Sequence, residues 1–267
     1  ALARQAARKA VAEMALDIAL PARRDAEGRN AFRRVASPNF SPRPAQSAIL
    51  ALPQEENGSI TVLEAETGSG KTEAALARFV TLFEAGLVDG MYFALPTRSA
   101  ATQMHQRVLA AARQGFATPP SVILAVPGYL RVDDAQGDRL PAFEVLWPDS
   151  DRLRYRAWAA ENAKRYFVGC IVVGTVDQVL LSSLMVGHAH LRAAALLRHL
   201  LVVDEVHASD AYMARILQHV LARHIAAGGH ALLLSATLGG EARARLLHPD
   251  EHVTPLSLTE TEATPYP

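Results

Sequence analysis

Residues 60–80 have the sequence ITVLEAETGSGKTEAALARFV, and this stretch decides the fold class. An apolar run at 60–63 precedes a loop with two glycines, and helical periodicity starts at Lys71. The loop, residues 65–72, matches a phosphate-binding pattern with Ala65 in place of its first glycine. Gly68 and Gly70 let the backbone turn so that successive N–H groups point at phosphate oxygens. The following helix adds the positive end of its dipole, so we predict a phosphate-binding strand–loop–helix unit.

The side chains around this loop predict ATP and Mg²⁺ as cofactors. Lys71 is expected to reach the β- and γ-phosphates, and the Thr72 hydroxyl is expected to bind magnesium. Upstream, the Gln46 amide suits an adenine edge and Phe40 can pack against the base. A surface glutamine and a core phenylalanine are the alternative explanation. The predicted nucleotide-binding residues are Gln46, Thr67, Gly68, Ser69, Gly70, Lys71 and Thr72.

Two carboxylates follow another apolar run, residues 200–203. Asp204 and Glu205 come directly after it, in the sequence DEVH, which ends at His207. A strand of a parallel sheet delivers such residues at its carboxyl end, where these sheets bind ligands. We predict that Asp204 holds magnesium, that Glu205 deprotonates the attacking water, and that His207 senses the nucleotide. A helix N-terminus with acidic first-turn residues is the alternative.

Small polar residues follow three more apolar runs. Ser235 and Thr237, in LSATL at 234–238, are predicted to couple the state of the γ-phosphate to the acidic segment. At two other strand ends, backbone N–H groups and side chains suit phosphate or sugar contacts with a nucleic-acid strand. These candidate nucleic-acid contacts are Thr97, Arg98, Thr175 and Gln178. Helix capping by Thr97 or Thr175 is the alternative.

The alternation of apolar runs and helical segments predicts an α/β fold with a mostly parallel sheet, helices on both faces and an N-terminal helical extension. We predict strands at 60–63, 91–95, 122–126, 169–173, 200–203 and 231–234. Helices are predicted at 3–20, 46–52, 71–83, from the end of the second strand to 112, from 176, and at 211–226. Residues 21–44 are typical of a linker, and 127–166 of an insertion with one helix at 151–165.

Composition limits the classes of partner. The 267 residues have a formal net charge of zero, so any nucleic-acid binding must be local. Cys170 is the only cysteine, which excludes a disulfide within the chain and favours a reducing compartment. Apolar stretches are too short to span a bilayer, and we expect no membrane partner and a cytoplasmic location.

The order of these motifs, Gln46, AETGSGKT, LPTR, VGTVDQ, DEVH and SATL, resembles that of superfamily 2 helicases. LPTRSAATQMHQR at 95–107, DEVHASDAYM at 204–213 and FSPRPAQ at 40–46 are similar to the type I CRISPR-associated helicase-nuclease family. The resemblance covers residues 40–238. It implies a RecA-like P-loop NTPase domain at 37–255, after an N-terminal helix and linker at 1–36. It also implies that 256–267 starts a linker to a second RecA-like domain in the same polypeptide.

By the same resemblance, the protein would be an ATP-dependent DNA helicase or translocase that acts on single-stranded DNA in antiviral defence, recruited by an RNA-guided surveillance complex. The family often carries an N-terminal HD nuclease, but no His-Asp dipeptide occurs in this sequence. Because the superfamily's arginine finger comes from the second RecA-like domain, we expect the isolated chain to hydrolyse ATP slowly. Alternatives are a nucleotide-gated binding module that moves no strand, another DEAD/DEAH-type RNA helicase, and a different P-loop ATPase, against which LPTR and GTVDQ argue.

Overall fold

The computed structural model describes residues 2–13, 28–36, 39–141, 144–149, 153, 156–206 and 211–247. His207, residues 14–20 of the predicted first helix and the segment 256–267 lie outside the described residues. The helices are α1 (Leu2–Glu13), α2 (Ala31–Val35), α3 (Pro44–Leu50), α4 (Lys71–Glu84), α5 (Arg98–Gly115), α6 (Val176–Leu180), α7 (Ala189–Leu196), α8 (Ala211–Ala226) and α9 (Gly240–Leu247). The strands are β1 (Ser59–Glu64), β2 (Gly90–Leu95), β3 (Val122–Ala125), β4 (Arg131–Val132), β5 (Ala135–Gln136), β6 (Asp138–Arg139), β7 (Val145–Leu146), β8 (Ile171–Thr175), β9 (His199–Val203) and β10 (His230–Ser235).

The strands form a sheet in the order β1-β10-β9-β2-β8-β3-β4-β5. Pairing is parallel from β1 to β3 in this order, and β4 and β5 extend the β3 edge antiparallel. β6 and β7 pair separately. The predicted α/β fold with a mostly parallel sheet is confirmed. The strand predicted at 169–173 starts later, at Ile171, because Gly169 donates its N–H to the Tyr166 carbonyl and closes a turn first (3.2 Å).

Helices cover both faces of the sheet, which explains why β2, β3, β8, β9 and β10 are buried along their whole length. Successive side chains of a strand point to opposite faces. Met91 and Phe93 of β2 pack in one core with α2, α3, α4 and α5. Tyr92 packs in a second core on the other face, with residues of α6, α7, α8 and α9. Because the strands from β1 to β3 in the sheet order pair in parallel, the residues that follow each of them lie at the same edge of the sheet.

The predicted linker at 21–44 is wrong for residues 31–36, which form α2 and its C-terminal cap. Phe32 is buried, and the Arg34 side chain is 0% exposed. Arg34 Nε donates to the Gly115 carbonyl at 2.8 Å, and its guanidinium pairs with Glu84 and lies 4.7 Å from the centre of the Phe116 ring. The arginine-rich composition suggested a solvated segment, but partners on α4 and α5 satisfy this buried charge. The domain boundaries themselves stay predictions.

The predicted helix at 151–165 does not extend through 157–165, where turns are found. The rest of that range is described only at residues 153 and 156. Arg156 pairs with Asp133 at 2.6 Å, and Asp133 also accepts the Val122 N–H at 2.9 Å. The ion pair thus joins two parts of the insertion, and Asp133 attaches the insertion to β3 through the Val122 N–H. Among the described residues, no helix combines the length and apolar character required to cross a bilayer.

Candidate active site

The carboxyl ends of three adjacent strands bring the predicted ATP-binding motifs together. Glu64, the last residue of β1, pairs in register with Ser235 of β10, and Leu233 of β10 pairs with Val203 of β9. The phosphate loop, the acidic pair and the Ser235 segment therefore leave the sheet at one edge. The Ala65 N–H donates to the Ser235 carbonyl at 3.1 Å, so the loop and that segment are also joined directly.

A cleft of about 560 Å³ opens at this edge. Its lining combines polar residues of the loop and the acidic pair with several apolar side chains. The polar lining is Ser41, Arg43, Gln46, Thr67, Gly68, Gly70, Lys71, Thr72, Glu73, Arg107, Asp204 and Glu205, and the apolar lining is Phe32, Val35, Ala36, Phe40 and Met104. A cleft lined by both apolar and charged side chains suits a ligand that joins a flat base to phosphates.

The phosphate loop depends on its two glycines in different ways. Gly68 and Gly70 have φ of +81° and +88°, in the left-handed region. A Cβ on Gly68 would meet nothing within 4 Å, whereas a Cβ on Gly70 would lie 2.1 Å from Gln46 Nε2. Gly70 therefore also makes room for a neighbouring side chain. Lys71, the first residue of α4, donates from Nζ to the carbonyls of Ala65 (2.6 Å) and Glu66 (3.2 Å).

Gln46 supports the loop from α3. It is 5% exposed, and its Oε1 accepts the Arg43 N–H at 2.8 Å. Its Nε2 donates to the Gly70 carbonyl at 3.0 Å. The Gln46 Nε2 carries a second hydrogen besides the one that it donates to Gly70, so the contact of Gln46 with adenine stays a prediction. Phe40 lines the cleft with 61% of its surface exposed, so it is not the core phenylalanine that was the alternative.

The acidic pair enters the cleft from β9. The Asp204 N–H donates to the Ala94 carbonyl at 2.9 Å, which extends the pairing of β9 with β2 by one residue. Glu205 has φ of +53°, a strained backbone for a non-glycine residue and one often found at functional sites. Burial and, after it, the charge of Glu205 raise the pKa of Asp204, while the Glu205 N–H, Lys71 and Arg107 oppose this shift. A cation bound at Asp204 would favour its charged form.

The Thr72 hydroxyl and the Asp204 carboxylate are the oxygen donors that suit magnesium. Thr72 is buried at the start of α4, and Asp204 lines the same cleft. Both lie beside the loop that would hold phosphate oxygens, so the residues present fit a magnesium–nucleotide complex.

The predicted coupling segment is attached to the strand before the loop. Glu64 accepts the Leu238 N–H at 2.8 Å through Oε1 and pairs with Arg243 of α9 at 3.4 Å through Oε2. Ser235 is buried and Thr237 is exposed. Sequence reasoning missed Glu64, because nothing in the local pattern distinguishes it from a surface glutamate at a strand end.

The structure separates the four candidate nucleic-acid contacts into two pairs. Thr97 and Arg98 are exposed after β2, and Thr97 accepts the Ala100 N–H at 3.2 Å as the N-cap of α5. Thr175 and Gln178 are buried after β8. The Thr175 side chain makes no capping hydrogen bond, and Gln178 Oε1 has no hydrogen-bond partner among the described residues. Only the first pair is accessible to a strand in this conformation.

Two charged side chains at the cleft were also missed. Arg43 Nη1 donates to the Gly68 carbonyl at 2.5 Å, and Arg107 of α5 pairs with Glu73 of α4 at 2.9 Å. Arg43 stands next to Pro44 in FSPRPAQ, which is the one signal that could have identified it. Arg107 is the last residue of LPTRSAATQMHQR at 95–107, but no pattern assigned it a role, because its pairing with Glu73 joins two helices across 34 positions of sequence.

No family model matches the chain. It is 39% identical over 209 residues to CRISPR-associated endonuclease/helicase Cas3 of Escherichia coli (strain K12), a match to 78% of this chain and 23% of that protein. It is 32% identical over 213 residues to CRISPR-associated nuclease/helicase Cas3 of Streptococcus thermophilus, with the same coverage. The crystal structure of T. fusca Cas3-AMPPNP matches with a TM-score of 0.64 and 29% identity, over 82% of this chain and 24% of that one. The chain thus spans about a quarter of the length of these relatives.

Proposed function

Because the chain belongs to the CRISPR-associated helicase-nuclease family by similarity over 78% of its length, we propose that it is the ATP-binding domain of an ATP-dependent DNA helicase or translocase. The observation that carries this proposal is the single cleft lined by Lys71, Thr72, Asp204 and Glu205. These residues come from two strand ends far apart in sequence, and together they form the charge pattern needed to hold and cleave a triphosphate.

The loop would bind the phosphates of ATP. Gly68, Gly70 and Thr72 line the cleft, so backbone N–H groups of the loop and the N-terminus of α4 would bind phosphate oxygens there. Lys71 would exchange the Ala65 and Glu66 carbonyls for phosphate oxygens. Thr72 and Asp204 would hold Mg²⁺, which supplies positive charge that stabilises the phosphoryl group during transfer. The T. fusca relative was crystallised with AMPPNP, an ATP analogue, which supports the proposal that this chain binds a nucleotide.

Glu205 would act as the general base. Its carboxylate takes a proton from the water that attacks the γ-phosphorus, the bond between the γ-phosphorus and the bridging oxygen breaks, and ADP leaves. The strained backbone at Glu205 aims this side chain away from the direction that a regular strand would give it. His207, Ser235 and Thr237 would sense the nucleotide and pass its state on.

Single-stranded DNA would follow the carboxyl edge of the sheet. Thr97 and Arg98 are exposed there at the N-terminus of α5 and suit contacts to the phosphate backbone. Thr175 and Gln178 would need a local opening of the segment after β8 to reach a strand. A second RecA-like domain in the same polypeptide would supply an arginine finger, and recruitment by an RNA-guided surveillance complex is the proposed biological setting.

The test measures ATP turnover of the full-length gene product with no nucleic acid, with single-stranded DNA and with single-stranded RNA. We expect strong stimulation by DNA; stimulation by RNA alone would favour an RNA helicase. Nucleotide-dependent partner binding without turnover would favour the gated binding module.

Three variants complete this test. Lys71→Ala should abolish nucleotide binding or turnover, and Lys164→Ala, at an exposed lysine outside the cleft, serves as the matched control. Glu205→Gln should bind ATP normally and fail to hydrolyse it. Full activity of the Lys71 variant would contradict the loop assignment, and full activity of the Glu205 variant would exclude this residue as the base.

A further inference from the structure

A third positively charged side chain faces the candidate ATP cleft, from a helix that no ATP-binding motif includes. Besides Arg43 and Lys71, the positively charged lining residue is Arg107 in α5. Met104, three residues earlier and therefore on the same helical face, lines the cleft as well. Arg107 is thus directed into the site by the orientation of the helix.

The present contacts of Arg107 leave it able to bind an anion. Arg43 and Lys71 donate to carbonyls of the phosphate loop, whereas Arg107 Nη2 donates to Glu73 Oε1 at 2.9 Å. The Arg107 side chain is 53% exposed and that of Glu73 33%, so their ion pair contributes little to stability and can rearrange. A guanidinium presents several N–H donors in a planar fork, and it can contact a carboxylate and a phosphate together.

The position of Arg107 points to the phosphate end of the cleft. Glu73 belongs to the first turn of α4, one residue after Thr72. Asp204, the residue proposed to hold magnesium, lines the same cleft. The ion pair with Glu73 therefore holds Arg107 near Lys71 and Thr72, the residues expected to bind the γ-phosphate and magnesium.

We propose that Arg107 donates a hydrogen bond to the γ-phosphate of bound ATP while Glu73 holds its guanidinium in place. This inference rests on the proposed function. Since α5 starts at Arg98, next to the exposed Thr97, one helix would then connect the γ-phosphate with the proposed DNA contacts. Arg107 would therefore let the site distinguish ATP from ADP by a route that does not use Ser235 or Thr237.

A simpler role competes with this one. Arg107 could neutralise Glu73, whose carboxylate would otherwise repel the phosphates, without touching the nucleotide. The two roles differ in a double variant. If neutralisation is the whole role, removing both charges in Arg107→Gln/Glu73→Gln restores ATP affinity; if Arg107 contacts the γ-phosphate, affinity stays low.

The experiment is a calorimetric titration of the full-length gene product with Mg·ATP, Mg·AMPPNP and Mg·ADP. For Arg107→Gln we expect Kd to rise about tenfold for both triphosphates, as for the loss of one charge-assisted hydrogen bond, and to change little for ADP. Arg113→Gln is the matched control, because Arg113 is on the same helix, is similarly exposed (52%) and pairs with Asp134 outside the cleft.

Equal weakening of ATP and ADP, unchanged ATP affinity in Arg107→Gln, or recovery in the double variant would each overturn the proposal. Absence of ATP binding by the unmodified protein would instead contradict the proposed function. Thermal unfolding of each variant, expected to be unchanged at this exposed position, shows that affinity and not folding has been altered.

Discussion

Gly70→Ala offers a quantitative test of how the phosphate loop is built. The added Cβ meets two separate obstacles. The backbone at Gly70 has φ of +88°, which is unfavourable for alanine, and the methyl group would lie 2.1 Å from Gln46 Nε2. Gly68 shares the first obstacle, with φ of +81°, and has no atom within 4 Å of the added Cβ. The two substitutions therefore differ mainly in the displacement of Gln46.

The expected cost follows from these contacts. The left-handed backbone costs alanine about 1–2 kcal/mol at either position. Displacing Gln46 breaks its hydrogen bonds with the Arg43 N–H and the Gly70 carbonyl, at about 1 kcal/mol each. We therefore expect Gly70→Ala to lower the free energy of unfolding by about 3–4 kcal/mol and Gly68→Ala by about 1–2 kcal/mol.

Urea unfolding monitored by circular dichroism measures this difference, with midpoints compared at equal slopes. In Gln46→Ala the obstructing amide is absent, so adding Gly70→Ala to that background should cost only about 1–2 kcal/mol, like Gly68→Ala. Equal destabilisation by Gly68→Ala and Gly70→Ala in the natural background would refute the packing of Gln46 against the loop.

The remaining predictions concern buried charged and titratable groups. Arg34→Met should lower the free energy of unfolding by about 2–3 kcal/mol, since it removes charged hydrogen bonds from a fully buried site. Glu84→Gln should cost at least as much, because it removes the counter-charge that Glu84 supplies and leaves the Arg34 charge buried; a smaller loss in urea unfolding would contradict this. Because burial raises the pKa of Asp204, the ionised form destabilises the folded protein, so Asp204→Asn should stabilise it above that raised pKa. This stabilisation should vanish below about pH 4, where Asp204 is protonated in both the folded and the unfolded state. The measurement is the difference in melting temperature between Asp204→Asn and the unmodified protein, and a difference that does not change with pH would exclude this effect. Burial lowers the pKa of His224 to about 4, so stability should fall as pH drops from about 6.5 towards 4, by at most about 1.4 kcal/mol per pH unit. The decline should be shallower in His224→Gln, and identical slopes would show that other groups cause it.

Most of the sheet and the centre of the candidate site could be predicted from local pattern. Apolar runs located the parallel strands to within about two residues, because a strand buried on both faces has no polar positions to obscure it. The glycine loop and the acidic pair could be proposed for a related reason: phosphate and metal chemistry requires particular residue types in a fixed local order, and the structure brings both segments to one cleft. Their meeting at one edge followed from parallel pairing, since the carboxyl ends of parallel strands share an edge.

The errors lie where a residue's environment depends on distant partners. Residues 31–36 have the composition of a solvated linker, yet Arg34 is buried because Gly115 and Glu84 satisfy its charge. Thr175 was expected to face a nucleic-acid strand, and the packing of the segment after β8 buries it.

The sequence by itself determined the α/β class, the phosphate loop and the identity of the two acids, since each depends on the backbone conformation and residue types of a short segment. Only the tertiary structure decided that α2 lines the cleft, that Glu64 joins the loop strand to the segment before α9, and that Arg107 faces the site. The Glu64–Leu238 and Arg107–Glu73 contacts join residues 174 and 34 positions apart, and the packing of helices on the sheet brings such residues together. A periodic sequence pattern predicts which face of a helix or strand is buried, but it does not predict which residues of another helix or strand will contact that face.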